Sequence, residues 1–316
     1  MHAAVVTTFD APPAYREFPN PASQAPDEMV VDVIASGLHP RVRSQADGSH
    51  YTSSGELPLV PGFDGVGRDP DGTLRYFVLP DTTMGAMAEQ TVIDQRRSIA
   101  LPDSADPILV AASMNPVMSS WIALRRRIKF EPGQTVLILG ATGSSGRMAV
   151  QVAKRLGASH VVGVGRDAER LSALNDLGAD ATACLDNAAA VSDLAEAARD
   201  VDVVIDYLWG PITVDVMAGI AGNRPDPGKP LTWIEIGSVA GASAGIPSAA
   251  LRAVRLQIVG SGQGSVSTRD ILAEIPVLVD EITSGTFHID ARTVPLADVE
   301  TAWNDTATDQ RIVITP

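Results

Sequence analysis

The amino-acid sequence predicts an α/β protein in which a Rossmann-type, doubly wound parallel sheet is joined to a second domain made mainly of strands. Three observations carry that expectation. From Thr135 to Val164 a strand, a glycine turn, a helix and a second strand follow one another. From there to Val259 short apolar runs alternate with helical patterns, the signature of a parallel sheet covered by helices. Before about Pro107 there are only strand-like runs and turns, with no period of helix length.

The first of these segments reads TVLILGATGSSGRMAVQVAKRLGA, Thr135–Ala158. Thr135–Leu139 is a short apolar run stopped by Gly140, as expected of a strand buried on both faces. Gly140, Gly143 and Gly146 recur at every third position. Ala149, Ala153 and Leu156 then share a helical face, and Gly157 closes the helix. A pyrophosphate seats on bare N–H groups at the start of such a helix, where the macrodipole also favours negative charge. A Cβ at Gly143 would hold the backbone off the phosphates, and one at Gly146 would hold the helix off the strand. Ala141, Thr142, Gly143, Ser144, Ser145 and Gly146 are therefore the expected phosphate cradle.

The second strand ends Val164-Gly165-Arg166 and bears on which dinucleotide binds. An NAD site usually has an acidic residue there for the ribose 2′-hydroxyl. Here a glycine and a cation stand instead, and Arg166, with Arg170 one turn on, suits the 2′-phosphate of NADP(H). Asp167 keeps NAD(H) open as the weaker alternative, since a shift of one residue puts its carboxylate near the ribose.

Ligands of open parallel sheets lie outside the carboxyl ends of the strands. Val201–Asp206, Leu231–Ile236 and Leu256–Val259 read as further strands, the last two ending in Gly237-Ser238 and Gly260-Ser261. Gly165, Asp206, Gly237, Ser238, Gly260 and Ser261 are thus expected to line the cofactor crevice. Ala181–Leu185 reads as a short strand. Helices are expected around Leu171–Leu177, Val191–Ala198, Pro211–Ile220 and Ile271–Ile282, and a loop over Gly222–Pro230. A helical period also runs from Pro107 to Lys129 and marks the domain boundary. The tail carries a proline-flanked turn, a short helix with Trp303 and a strand, Arg311–Ile314, whose β character suits a return to the first domain. The expected division is residues 1–115 completed by 266–316, around a dinucleotide-binding domain of residues 116–265.

Composition narrows the class. A 316-residue chain with 45% hydrophobic side chains can bury a core of two domains. A formal net charge of −14 argues against nucleic acid and against an anionic membrane surface as partners. One cysteine, Cys184, rules out an internal disulfide and a zinc site of several thiolates, and fits a reducing compartment. The start, MHAAVVTTFDAPP, lacks a basic and apolar leader, and no unbroken apolar run reaches membrane-spanning length. A cytoplasmic protein is expected.

Taken together, the segments resemble the zinc-independent quinone oxidoreductase branch of the medium-chain dehydrogenase/reductase superfamily, over nearly the whole chain. MHAAVVTTFD is similar to that family's first strand, VVDVIASGLHPRV to its V-x-V-x-A-S-G-x-N-P-x-D segment and PLVPGFDGVG to its P-x-x-P-G-x-E-x-x-G turn. MGAMAEQTVI, GATGSSGRMAVQVAKRLGA, DVVIDYLWG and VPLADVETAW match later markers in order. The resemblance implies a GroES-like β-barrel domain, an NADPH-binding Rossmann domain and often a homodimer. It also aligns Asn115–Ser120 with a segment touching the nicotinamide end, which makes Ser119 a candidate contact.

The departures from the zinc alcohol dehydrogenases are as informative. Their cysteine after A-S-G and their Gly-His-Glu turn are replaced by Ser36-Gly37-Leu38-His39 and Gly62-Phe63-Asp64, and the four-cysteine lobe is missing. No metal is expected; His39, His50 and Asp64 lie on turn-rich sequence without ligand-like spacing. His39 stands where the family usually has Asn beside the substrate. The expected activity is NADPH-dependent hydride transfer to quinones or other α,β-unsaturated carbonyls, with a hydrogen-bond donor for the developing oxyanion. Tyr51 is the first candidate for that donor and His39 the second. A nucleotide-binding redox sensor without turnover is the alternative, and a zinc alcohol dehydrogenase a weaker one. If Arg166 binds the 2′-phosphate, Arg166→Ala is expected to weaken NADPH much more than NADH in a binding titration. Equal losses for both would sink that assignment.

Overall fold

The computed structural model describes residues 1–185, 188–305 and 309–316. They form two compact units, one of Met1–Asn115 with Ile275–Pro316 and the other of Pro116–Glu274.

The first unit opens with β1 (His2–Val5) antiparallel to β2 (Ala14–Glu17). Its organising strand is β3 (Glu28–Gly37), whose buried Val31 and Val33 pack against Phe77, Leu79, Ala86 and Ile93. Helix α1 (Pro40–Ala46) follows, then β4 (Asp64–Arg68), β5 (Leu74–Val78), β6 (Gln90–Asp94) and β7 (Ser98–Ala100). β3 pairs antiparallel with both β4 and β6. The close-set glycines of the Val60–Gly67 stretch have a backbone reason. A Cβ at Gly67 would sit 2.7 Å from the Asp32 carbonyl oxygen on β3. The short helix α1 departs from the all-strand expectation. Pro40 sits in its first turn, where a missing N–H costs nothing, and seven residues are too few to show a helical period.

Helix α2 (Pro107–Ile122) is started by Asp106, whose carboxylate accepts from the N–H groups of Ile108 and Leu109. It continues through a π-turn at Ala123–Arg127. The combined 21 residues are by length and composition long and apolar enough to cross a bilayer, but 67% of their most apolar 18-residue stretch is buried inside the protein. That is the composition of a core helix.

The second unit alternates strictly. It runs β8 (Thr135–Leu139), α3 (Ser144–Arg155), β9 (His160–Gly165), α4 (Ala168–Ser172), β10 (Ala181–Cys184) and α5 (Ala188–Ala197). Then come β11 (Val203–Asp206), α6 (Pro211–Asn223), β12 (Leu231–Glu235), α7 (Ser248–Ala253) and β13 (Leu256–Gly260). All six strands are parallel, in the order β10-β9-β8-β11-β12-β13. This is the doubly wound order whose direction reverses between β8 and β11. Leu137, Leu139, Val204, Val216, Ile220 and Trp233 are among the fully buried residues of its core. Two details differ from expectation. α6 extends to Asn223, into the stretch read as loop, and α7 is too short to register as a pattern.

Helix α8 (Thr268–Thr283) leads back, followed by β14 (Ala291–Pro295), α9 (Val299–Asn304) and β15 (Arg311–Thr315). The second unit holds the first turns of α8, because Glu274 accepts from Trp121 Nε1 at 2.7 Å and Arg125 Nε at 2.9 Å. The return to the first unit is direct: β15 lies between β14 and β3 in its seven-stranded sheet. β14 occupies the stretch read as a proline-flanked turn.

The closest approach in the dinucleotide fold is at Gly146, where a Cβ would lie 2.2 Å from the Gly140 oxygen and 2.6 Å from the Ala141 Cα. Both are backbone atoms and cannot swing aside. Gly146→Ala is expected to cost about 1–3 kcal/mol of stability through overpacking, read in a denaturant melt. A variant as stable as the parent would show that α3 does not press on β8 as described.

Candidate active site

The glycine turn has the form of a phosphate cradle. Gly140 takes φ +83° at the end of β8, and its N–H and that of Ala141 both donate to the Val164 oxygen on β9. Gly143 is the N-cap of α3, and no side chain caps that helix end. Around Gly143 the nearest atom to an added Cβ is 3.7 Å away. The space that glycine leaves there is not filled by protein, unlike that at Gly146, so a ligand can reach the backbone. No acidic residue stands in the first turn of α3 to oppose an anion. These residues fit a dinucleotide's pyrophosphate.

Beyond β9, Gly165 has no room for a side chain, since a Cβ would meet Thr142 Cγ2 at 2.7 Å. Arg166 is exposed just past it. Asp167, the carboxylate that kept NAD(H) open, is occupied as the N-cap of α4, accepting from the N–H groups of Glu169 and Arg170. Arg170 also lies 3.7 Å from Asp167, so it is partly turned toward its own helix cap.

The strand ends sort the other candidates. Ser238 and Gly260 are exposed, Gly237 is half-buried and Ser261 buried, all at the carboxyl ends of β12 and β13. Asp206 requires a correction. It is 0% exposed. Its oxygens accept from the N–H groups of Leu208 and Trp209, from Thr213 Oγ1 at 2.6 Å and from Trp233 Nε1 at 2.9 Å. The side chain is spent on building the strand end, including Trp209 at φ +53° and Gly210 at φ +81°, and leaves nothing for a nucleotide. The residue that the sequence reading missed is its neighbour Tyr207. Its hydroxyl lies 2.9 Å from Ser119 Oγ, and burial pushes its pKa up to about 12. Ser119 is therefore joined to the end of β11, beside the turn at Gly140.

The first unit holds a second polar cluster. His39 is the N-cap of α1 and is only 1% exposed. Its Nε2 lies 3.2 Å from Asp64 Oδ1, and Tyr76 donates from its hydroxyl to Asp64 Oδ2 at 2.8 Å. Asp64 as a carboxylate only accepts, so the proton of the neutral ring sits on Nε2. Nδ1 is buried without a hydrogen-bond partner, and so is Nε of Arg311. An unsatisfied buried polar atom costs about 1–3 kcal/mol, which a ligand atom offsets when it supplies the missing bond. Burial lowers the His39 pKa, Asp64 opposes that, and the cations Arg311 and Arg41 add to it. The Arg311 guanidinium is itself pulled down to about 10 by burial.

Tyr51, the first candidate donor, is 70% exposed and lies tilted against His50, with the ring centroids 4.3 Å apart. His50 Nδ1 is 2.7 Å from Thr52 Oγ1, which accepts from Arg41. Among the described residues no three of His, Cys, Asp and Glu gather as a metal ligand set. His39 and Asp64 are bonded to each other, with the cation Arg311 in range of both. That arrangement does not fit a divalent ion.

A probable NADPH-dependent quinone reductase, tdiC, from Emericella nidulans is 34% identical over the full length of both chains. The chain belongs to the quinone oxidoreductase branch of the medium-chain dehydrogenase/reductase superfamily. Residues 146–223 match the family model described as zinc-binding dehydrogenase, a stretch lying within the dinucleotide-binding unit. Quinone oxidoreductase-like protein 2 of Rattus norvegicus is 25% identical over 85% of this chain and 77% of its own. Among solved structures, the quinone oxidoreductase of Thermus thermophilus superposes with a TM-score of 0.78 at 23% identity, over all of both chains. That of Pseudomonas syringae pv. Tomato gives 0.83 at 21%, also over all of both. The fold of this oxidoreductase is accordingly a Rossmann domain with a GroES-like domain.

The histidines give the fold an acid-sensitive window. Both titrate near 6.5 in an unfolded chain, whereas burial lowers His39 and burial with Arg41 takes His50 to about 4. Below pH 6.5 the unfolded state therefore binds more protons than the native one, and the stability present above 6.5 is lost as pH falls. Thermal melts from pH 6.5 to about 4 are expected to show a falling Tm, with a shallower fall in His39→Asn. An identical slope in the variant would mean that His39 titrates normally in the folded protein.

Proposed function

We propose that this oxidoreductase reduces quinones and other α,β-unsaturated carbonyls with NADPH, and that it does so without zinc. The observation that carries the reading is the uncapped, open helix end at Gly143, followed at the end of β9 by a cation where NAD sites have an acid. The probable NADPH-dependent quinone reductase of Emericella nidulans, 34% identical, supports the same cofactor and substrate class. Bound NADPH supplies a hydride; the protein's part is position, exclusion of water and the remaining proton.

In this reading Ala141–Gly146 holds the pyrophosphate, Arg166 the 2′-phosphate, and Ser119 with Tyr207 the edge of the site beside the β8 turn. His39, buried and held by Asp64, is taken for the proton-handling place ahead of the exposed Tyr51. A quinone makes small demands on that group, since a hydroquinone anion takes its proton from solvent. An enone makes more. The single cysteine suits a reducing, cytoplasmic setting, and β13, at the edge of the parallel sheet, suits pairing in a homodimer.

The decisive experiment is a thermal shift with NADPH and with NADH, followed by NADPH oxidation with a simple quinone in the presence of a chelator. A ligand at a hundredfold its dissociation constant adds about 2.7 kcal/mol to stability. The expected outcome is a larger shift with NADPH and turnover unaffected by chelation. Loss of turnover on chelation would overturn the zinc-free reading, and binding without turnover across quinones and enones would turn the reading toward a sensor. With an enone, His39→Asn is expected to lower kcat by about 10²-fold, the usual contribution of a positioned acid.

A further inference from the structure

The polar cluster around His39 is built from four separate elements. His39 begins α1, Asp64 begins β4, Tyr76 lies in β5 and Arg311 begins β15. All four side chains are buried: His39 is 1% exposed, Asp64 1%, Tyr76 0% and Arg311 4%. They are tied to the strand framework as well. Ser36 Oγ donates to the Asp64 carbonyl at 3.0 Å, and the Leu38 N–H donates to the Ile312 oxygen. A His–Asp–Tyr chain next to a buried arginine is an expensive way to fill a core. Packing alone asks for none of these residue types. One ring nitrogen of the histidine is fixed by the chain, and the other is left without a partner.

We propose that Asp64, Tyr76 and Arg311 are positioning residues for His39: Asp64 holds the ring through Nε2, Tyr76 anchors Asp64 through its hydrogen bond, Arg311 bears on the pair through its charge, and Nδ1 is thereby the nitrogen that passes a proton to the oxygen of the reduced substrate. The inference rests on the reading of His39 as the proton-handling group. After an enone is reduced at its β-carbon, the displaced electron pair rests on the former carbonyl oxygen as an enolate. The O–H bond forms as the Nδ1–H bond of the imidazolium breaks. The product is an enol with a neutral imidazole, which takes its next proton from solvent. Asp64 makes the short-lived imidazolium tolerable in a buried place, and its bond to Nε2 keeps that proton from being the one given up.

Every charged or titratable group facing His39 has a sign in this scheme. Asp64 favours the protonated ring, whereas Arg311 and Arg41 oppose it. Tyr76 donates to Asp64 and so weakens Asp64's pull on the histidine. The enone rate is therefore expected to rise as pH falls below 6.5, and the variants to move that limb in opposite directions. Asp64→Asn shifts it to lower pH, and Tyr76→Phe and Arg311→Met shift it to higher pH. A core that merely packs would lose stability in all three without moving the limb.

A measurement independent of turnover tests the same geometry. With five histidines in the chain, ¹⁵N-histidine labelling and NMR of the nucleotide-free protein resolve the tautomer and titration of each ring. The proposal expects His39 as the Nε2–H tautomer, titrating below 6.5 in the parent and higher in Tyr76→Phe and Arg311→Met. An Nδ1–H tautomer in the parent protein overturns it outright and needs no variant to fold. So does an unmoved His39 titration in folded Tyr76→Phe and Arg311→Met. If His39→Asn keeps the enone rate and its pH limb, the proton-handling role of His39 fails instead. If that limb is lost in His39→Asn but unmoved in the other variants, only the positioning role fails.

Discussion

The contact on which the dinucleotide unit depends is between two pieces of backbone, the carbonyl of Gly140 at the end of β8 and the α-carbon of Gly146 in the first turn of α3. No side chain separates them, so the helix axis drops onto the sheet and its first N–H groups are aimed past the strand end. The turn is tied to β9 by the two bonds that Gly140 and Ala141 give to Val164. Since all six strands are parallel, their carboxyl ends open on the same side as that turn. The buried carboxylate of Asp206 then shapes the next strand end, and Tyr207 with Ser119 stands beside it.

Much of the dinucleotide unit was legible in the sequence because parallel strands are buried on both faces and read as short apolar runs between helical periods. What escaped was short or aperiodic: α1, α7 and β14 have five to seven residues each, too few for a pattern. Asp206 shows a different limit. An acid at a strand end looks the same in sequence whether it faces a ligand or four donors of its own chain, and only Thr213 and Trp233 in place decide it. The cluster at His39 was illegible for a third reason. Its partners are 25, 37 and 272 positions further along the chain (64 − 39, 76 − 39 and 311 − 39), and no spacing rule joins residues brought together by sheet register. The motif resemblance drew attention to His39, but not to what holds it.

Both units bury polar groups. In the dinucleotide unit they finish backbone: Asp206 caps a turn, Glu274 gathers Trp121, Arg125 and Arg126, and Arg224 closes the loop before β12 through four carbonyl oxygens. Burial alone would push Glu274 up, but Trp121 and its arginines hold it below the usual carboxylate range. Asp206 and Glu274 are satisfied by these bonds, whereas Arg224 keeps its Nε buried without a partner. In the GroES-like unit His39 and Arg311 likewise each keep a buried nitrogen without a partner, a cost that satisfied polar groups do not carry.

The place of β15 between β14 and β3 has a consequence for biosynthesis. β3 emerges early and waits through the whole dinucleotide unit for the strand that covers its edge near Ser36 and Gly37. The intervening unit has an unbroken stretch of chain, Pro116–Glu274, and mostly neighbouring pairings. It is complete while its sheet-bearing companion still lacks two strands, including the arginine beside His39. Nascent chains therefore carry a finished nucleotide fold and an open β edge at the same time, the condition in which strand exchange and chaperone capture are most favoured.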